Sequence, residues 1–166
     1  MENAMTVLAL DAGVRETGWA IFLPGGTIET GIIRLSRSRT LDSASRVSQL
    51  VERLDSLAAS WRPQVVAYGQ PSGIRWPEPS LELLDSSLVK WASKRQLVLH
   101  TYPAQEVRTA IARHSRVPPD QLAYAIMRRL RLIGVRKSTP EWEALAIGYY
   151  HLQSIAAHDP DGEPRG

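Results

Sequence analysis

Two groups of carboxylates stand where chemistry can be built. Asp11 closes the apolar run Val7-Leu8-Ala9-Leu10 and is followed by Ala12-Gly13; Glu141 and Glu143 open the last apolar segment, behind Ser138-Thr139-Pro140. An acid at the end of a central strand and acids on a final helix can converge on one point. Each also has an ordinary structural role. Asp-Ala-Gly after a strand makes a turn with an Asx bond. Ser138-Thr139-Pro140-Glu141 fits a capping box, or a Thr cap with Pro at the first helical position, where the helix dipole favours acids. Residues three apart on a helix lie about 60° apart around its axis and residues two apart about 200°. Glu141 and Glu143 therefore face opposite sides and do not share a ligand unless the first turn is distorted.

Basic residues gather in the last third. Arg108, Arg113, His114 and Arg116 lie around one turn, followed by Arg128, Arg129, Arg131 and Arg136, within a net charge of only +3. Arginine forks bind phosphate bidentately, without reading sequence. A solvated helix surface accounts for such a run equally well, and His114 alone reads as a surface residue rather than a general base. Arg75-Trp76, within Pro71-Ser72-Gly73-Ile74-Arg75-Trp76-Pro77, suits stacking on a base, or packing under its own loop. The chain has no cysteine, which excludes thiol catalysis, zinc-thiolate sites and disulfides and favours a reducing cytoplasm. No apolar run approaches the roughly 18 residues that span a bilayer, and no leader pattern opens the chain.

The elements that must position these residues follow from periodicity. Runs 6–10, 17–23 and 27–35 read as three strands joined by short turns, an antiparallel meander, with the first strand apolar at nearly every position and so central. Residues 41–61 carry Val47, Leu50, Val51, Leu54, Leu57 and Ala58 at three-and-four spacing, a helix stopped at Arg62-Pro63. A strand at 64–68, a helix at 79–95 and a strand at 97–101 alternate as parallel pairing requires. Helices at 104–112, 120–132 and 141–157 complete one domain over 1–157, with 158–166 a flexible polar tail.

Three segments in order, Leu10-Asp11-Ala12-Gly13 with Thr17-Gly18, Val66-Ala67-Tyr68-Gly69-Gln70-Pro71, and Glu143-Ala144-Leu145-Ala146-Ile147, resemble RuvC, the Holliday junction resolvase family of the RNase H-like superfamily. The resemblance covers Val7 to about His151. It implies an α/β, RNase H-like fold with a mixed five-stranded sheet, three antiparallel strands then two parallel ones, flanked by helices. It also implies a nuclease that holds two Mg2+ (or Mn2+) ions, roughly 3.5–4 Å apart, with four acids. Carried over residue by residue, the resemblance makes Asp11 the first acid and Glu143 the last, the catalytic and metal-ligating pair. The second acid position is Gly69 and the third is Pro140, neither of which can ligate; Ala12 stands where the family usually has Pro.

Three readings follow. In the leading one the chain binds branched or structured DNA through Arg75, Trp76, Arg108, Arg113, His114 and Arg116 with an eroded two-metal site, and needs no cofactor. In the second, Asp11 and Glu143 are joined by a displaced acid, Glu141, Glu78 or Asp85, in an active Mg2+-dependent endonuclease. In the third, the fold is kept as an interaction subunit of a larger nucleic-acid complex. Gly69 as an engineered substitution of a native Glu is a further alternative. The helix at 79–95 occupies the place of the family's dimer helix, with Leu81, Leu84, Leu88 and Trp91 or Ala92 available for a homodimer or for the chain's own sheet.

Overall fold

Every residue of Val7–Ala12 is buried, so this strand has to be covered on both faces, and the layering of the whole fold follows from that. The computed structural model describes residues 5–13, 15–35, 42–71, 78–113, 116 and 118–157, with the Glu78 side chain excepted. Arg75, Trp76, His114 and the expected tail at 158–166 lie outside the described residues.

The strands are β1 (Val7–Ala12), β2 (Glu16–Phe22), β3 (Ile28–Arg34), β4 (Val65–Gln70) and β5 (Val98–Pro103). The helices are α1 (Ser43–Trp61), α2 (Glu78–Lys94), α3 (Ala104–Ala112), α4 (Pro119–Arg129) and α5 (Thr139–Ala157). The strands form one sheet in the order β3-β2-β1-β4-β5. β1 pairs antiparallel with β2 and β2 with β3, whereas β1–β4 and β4–β5 are parallel. This is the mixed sheet expected from the sequence, with the most apolar strand at its centre.

Alternation along β1 divides the core. Leu8 and Leu10 pack with Leu50, Leu54, Leu84, Leu88 and Trp91 of α1 and α2. Val7 and Ala9 pack on the other face with Val107, Ile111, Leu122, Ile126 and Leu145 of α3, α4 and α5. Alanines dominate where α5 meets the sheet: Ala9, Ala20, Ala67, Ala144 and Ala146 are all closed to solvent, so helix and strands approach closely. Leu84, Leu88, Trp91 and Ala92 are buried within the chain. The α2 stripe expected to serve either a homodimer or the sheet is thus spent on the chain's own core.

Local chemistry sets the ends. Asp42 caps α1 by accepting from the Ser45 N–H at 2.8 Å, which starts the helix at Ser43, and Arg62 ends it in the left-handed conformation. α4 stops at Arg129, short of the expected 132, because Arg131 (φ 57°) and Gly134 (φ 86°) turn the chain. α5 starts two residues earlier than expected. Ser138 caps it: its hydroxyl accepts from the Glu141 N–H at 3.4 Å, while Glu141 accepts from the Ser138 N–H at 3.3 Å and hydroxyl at 2.9 Å. Among the described residues no helix is long and apolar enough to cross a membrane.

Candidate nucleic-acid and metal site

Strand register assembles the site. Asp11 lies opposite Gly18 of β2 and Gly69 of β4, and Gly69 lies opposite Tyr102 of β5. Because successive side chains alternate, Asp11 shares the face of Val7 and Ala9, the one that α5 covers. Asp11 is buried, 5% exposed, at the C-terminal end of the central strand.

α5 crosses this row. A Cβ added to Gly18 would collide with the Pro140 carbonyl and stand 2.9 Å from the Pro140 Cβ. A Cβ added to Gly69 would collide with Cδ1 of Ile147 and stand 2.9 Å from its Cγ1. Pro140 and Ile147 are two turns apart, about 10 Å along a helix, which matches two inter-strand steps of about 4.8 Å. The intervening turn, with Glu143 on the same helix face as Pro140 and Ile147, therefore passes over Asp11. Glu143, like Asp11, is 5% exposed.

A cation is already there. α3 leaves the end of β5 with Val107 and Ile111 buried beneath it, and the intervening Arg108 reaches α5. Its Nη2 donates to Glu143 Oε1 at 2.9 Å and its Nε to Oε2 at 3.4 Å. This side-on fork engages both carboxylate oxygens.

Two of the candidate displaced acids, Glu141 and Asp85, have other partners. Glu141 accepts from the Thr30 hydroxyl of β3 at 2.6 Å as well as from Ser138. Burial pushes its carboxyl up, but the bonds from Thr30 and Ser138 and the Lys137 charge outweigh that and hold it below the ordinary value. Asp85 sits on the opposite face of the sheet, accepting from the Tyr68 hydroxyl at 3.0 Å and the Gln70 amide at 2.7 Å. Burial, then the Asp85 carboxylate, drives the Tyr68 phenol far up, so it stays a donor. Asp85 is thus engaged by two donors. Among the described residues no group of three or more His, Cys, Asp or Glu is placed to hold a metal ion.

Arg113, the left-handed C-cap of α3, and Arg116 are exposed. Arg128 lies over the exposed Tyr124 ring at 5.8 Å. Arg129 is held, by Tyr149 at 5.5 Å and by the Ile111 carbonyl at 2.9 Å. The basic run is thus divided between exposed and structural arginines.

One group that sequence patterning did not single out is His151. It is fully buried, and its Nδ1 lies 2.7 Å from the Tyr102 hydroxyl, with the His100 ring 4.9 Å away. Burial, then the His100 charge, pushes its pKa down to about 4. Its place inside the apolar α5 segment was the only signal.

No protein-family model matches the chain. The crossover junction endodeoxyribonuclease RuvC of Pelodictyon phaeoclathratiforme is 28% identical over 162 aligned positions, spanning 94% of this chain and 84% of that protein. That of Chlorobium phaeobacteroides is 26% identical over 172 positions, spanning 98% and 91%. Among solved structures, T. thermophilus RuvC in complex with a Holliday junction substrate superposes with a TM-score of 0.74 at 19% identity, covering 92% of this chain and 96% of that one.

Proposed function

We propose that this RuvC-like chain, RNase H-like in fold, is a junction-type DNA-binding protein whose strand-end site does not carry two-metal hydrolysis. The observation that carries the reading is the packing at Gly69. Where the second acid of the resembling family would stand, the side chain is absent and Ile147 fills its space.

Asp11 and Glu143 are the residues that would hold Mg2+ or Mn2+. They do not fit a pair of divalent ions. Two ions side by side need several negative ligands to offset their mutual repulsion. Here there are two carboxylates, one of which already faces a guanidinium. Pro140, at the third acid position, is packed against Gly18 and contributes no donor. No hydrolytic step is therefore assigned to the chain.

Binding rests on charge. Arg113 and Arg116 follow directly on the helix that carries Arg108, and phosphate contacts from such residues hold a duplex without reading its sequence. Arg75, Trp76 and His114 join them in this reading, with Trp76 stacking on a base exposed at a branch point. A homodimer through α2 would use its outer surface, where Val89 is 57% exposed, because the inner stripe is occupied. The lack of cysteine suits a cytoplasmic setting.

The test is a mobility-shift titration of a labelled four-way junction against a linear duplex of equal length, in chelator at low salt. The reading expects the junction to bind more tightly. Failure to bind either DNA would overturn it in favour of a protein-interaction role.

A further inference from the structure

We infer that Arg108 stands in for a divalent cation at Glu143, so that the arginine and a metal ion are mutually exclusive occupants of one carboxylate. The inference rests on the reading of a site without metals and says what replaces them. A carboxylate as buried as Glu143 has to be neutralised or paired. In a metal centre the ion does this; here the charge comes from the chain.

Two features make Arg108 a fixed occupant rather than a passing contact. Its fork meets both Glu143 oxygens side-on. Its own helix offers no competing acid, since Glu106 is engaged with the Tyr150 hydroxyl. Glu143 is also the acid that α5 carries over the Gly18–Asp11–Gly69 row. A cation tied to it raises the electrostatic cost of any second cation at that row. Arg108 remains 27% exposed in its side chain, so substitution opens the position to solvent ions.

The experiment is a titration of the whole chain with Mn2+, followed by electron paramagnetic resonance of the free ion, on wild type and four variants, the single Asp11→Asn among them. Wild type is expected to leave Mn2+ free. Arg108→Gln is expected to bind it at least about tenfold more tightly than wild type, a fraction of the interaction between unit charges at contact distance. Arg108→Lys, which keeps the charge, should gain nothing. Asp11→Asn combined with Arg108→Gln should lose the gain.

Thermal melting establishes that each variant folds, and Arg108→Met, which keeps most of the volume, replaces Arg108→Gln if that variant does not melt cooperatively. A folded variant without the arginine that gains no Mn2+ affinity overturns the inference and leaves the DNA-binding reading intact. So does a gain that survives loss of Asp11, or an equal gain in Arg108→Lys. Wild-type Mn2+ binding that disappears on Asp11→Asn overturns both.

Discussion

Ile147 of α5 stands over Gly69 of β4 so closely that any side chain at the strand position requires Ile147 to shift. Ile147 is 2% exposed, and its neighbours Ala144, Leu145 and Ala146 are closed to solvent, so its terminal methyl has little space to swing away. Gly69→Ala is expected to destabilise the fold by about 2 kcal/mol through overpacking. Ile147→Val removes the colliding Cδ1 at a cost of about 1 kcal/mol. Chemical denaturation of both single variants and the double variant should show the double about 1 kcal/mol more stable than the sum predicts. Strict additivity would mean that this close approach is not the constraint. Gly69→Glu alone is then expected to lower stability without creating nuclease activity.

How much of this was legible in the sequence depends on distance along the chain. The almost wholly apolar β1, the α1 stripe and the reciprocal Ser138/Glu141 cap are local patterns, and each is present in the fold. The departures at Gly69 and Pro140 were equally plain from the motifs. What filled the gap was not, because Ile147 and Gly69 meet only when α5 is laid across the sheet. Arg108 and Glu143 are 35 residues apart with no repeat to link them. Asp85 looked available because periodicity alone does not say which sheet face α2 covers; the bonds from Tyr68 and Gln70 decide it. His151 looked like part of an apolar segment, and only the packing of Tyr102 and His100 gives it a role.

Stability should fall on mild acidification because of His151. Its folded pKa, about 4, lies below the unfolded value of about 6.5, so the unfolded chain binds the extra proton first. The contribution is fully present above about pH 6.5 and is lost as pH falls toward 4, amounting to about 2 kcal/mol between pH 7 and pH 5. Melting temperatures across that range check this, and His151→Gln should flatten the profile. A wild-type profile as flat as that of the variant would contradict it.

Glu141 acts in a separate, more acidic window. Its folded pKa is depressed below 4.5, so its contribution is present above that value and is lost only as pH falls through the folded pKa. At neutral pH Ser138→Ala should cost about 1 kcal/mol through loss of the cap. Glu141→Gln should cost less, since the amide oxygen still accepts from Ser138 while its NH2 can donate to the Thr30 hydroxyl. Urea denaturation of the two variants distinguishes them; no loss in Ser138→Ala would show that the cap does not hold α5.

Arg113 and Arg116 are expected to act through phosphates. Replacing both by Gln should weaken binding to junction and duplex DNA alike, and should reduce the slope of log affinity against log salt by about 0.9 for each phosphate no longer neutralised. Weakening confined to one DNA sequence would instead indicate base readout.

The most direct measurement is cleavage of a labelled four-way junction by the whole chain under saturating protein, in Mg2+ and in Mn2+, beside the Asp11→Asn variant. The account predicts a shifted junction that remains intact in both metals, with Asp11→Asn indistinguishable from wild type. Cutting by wild type that Asp11→Asn abolishes would contradict it.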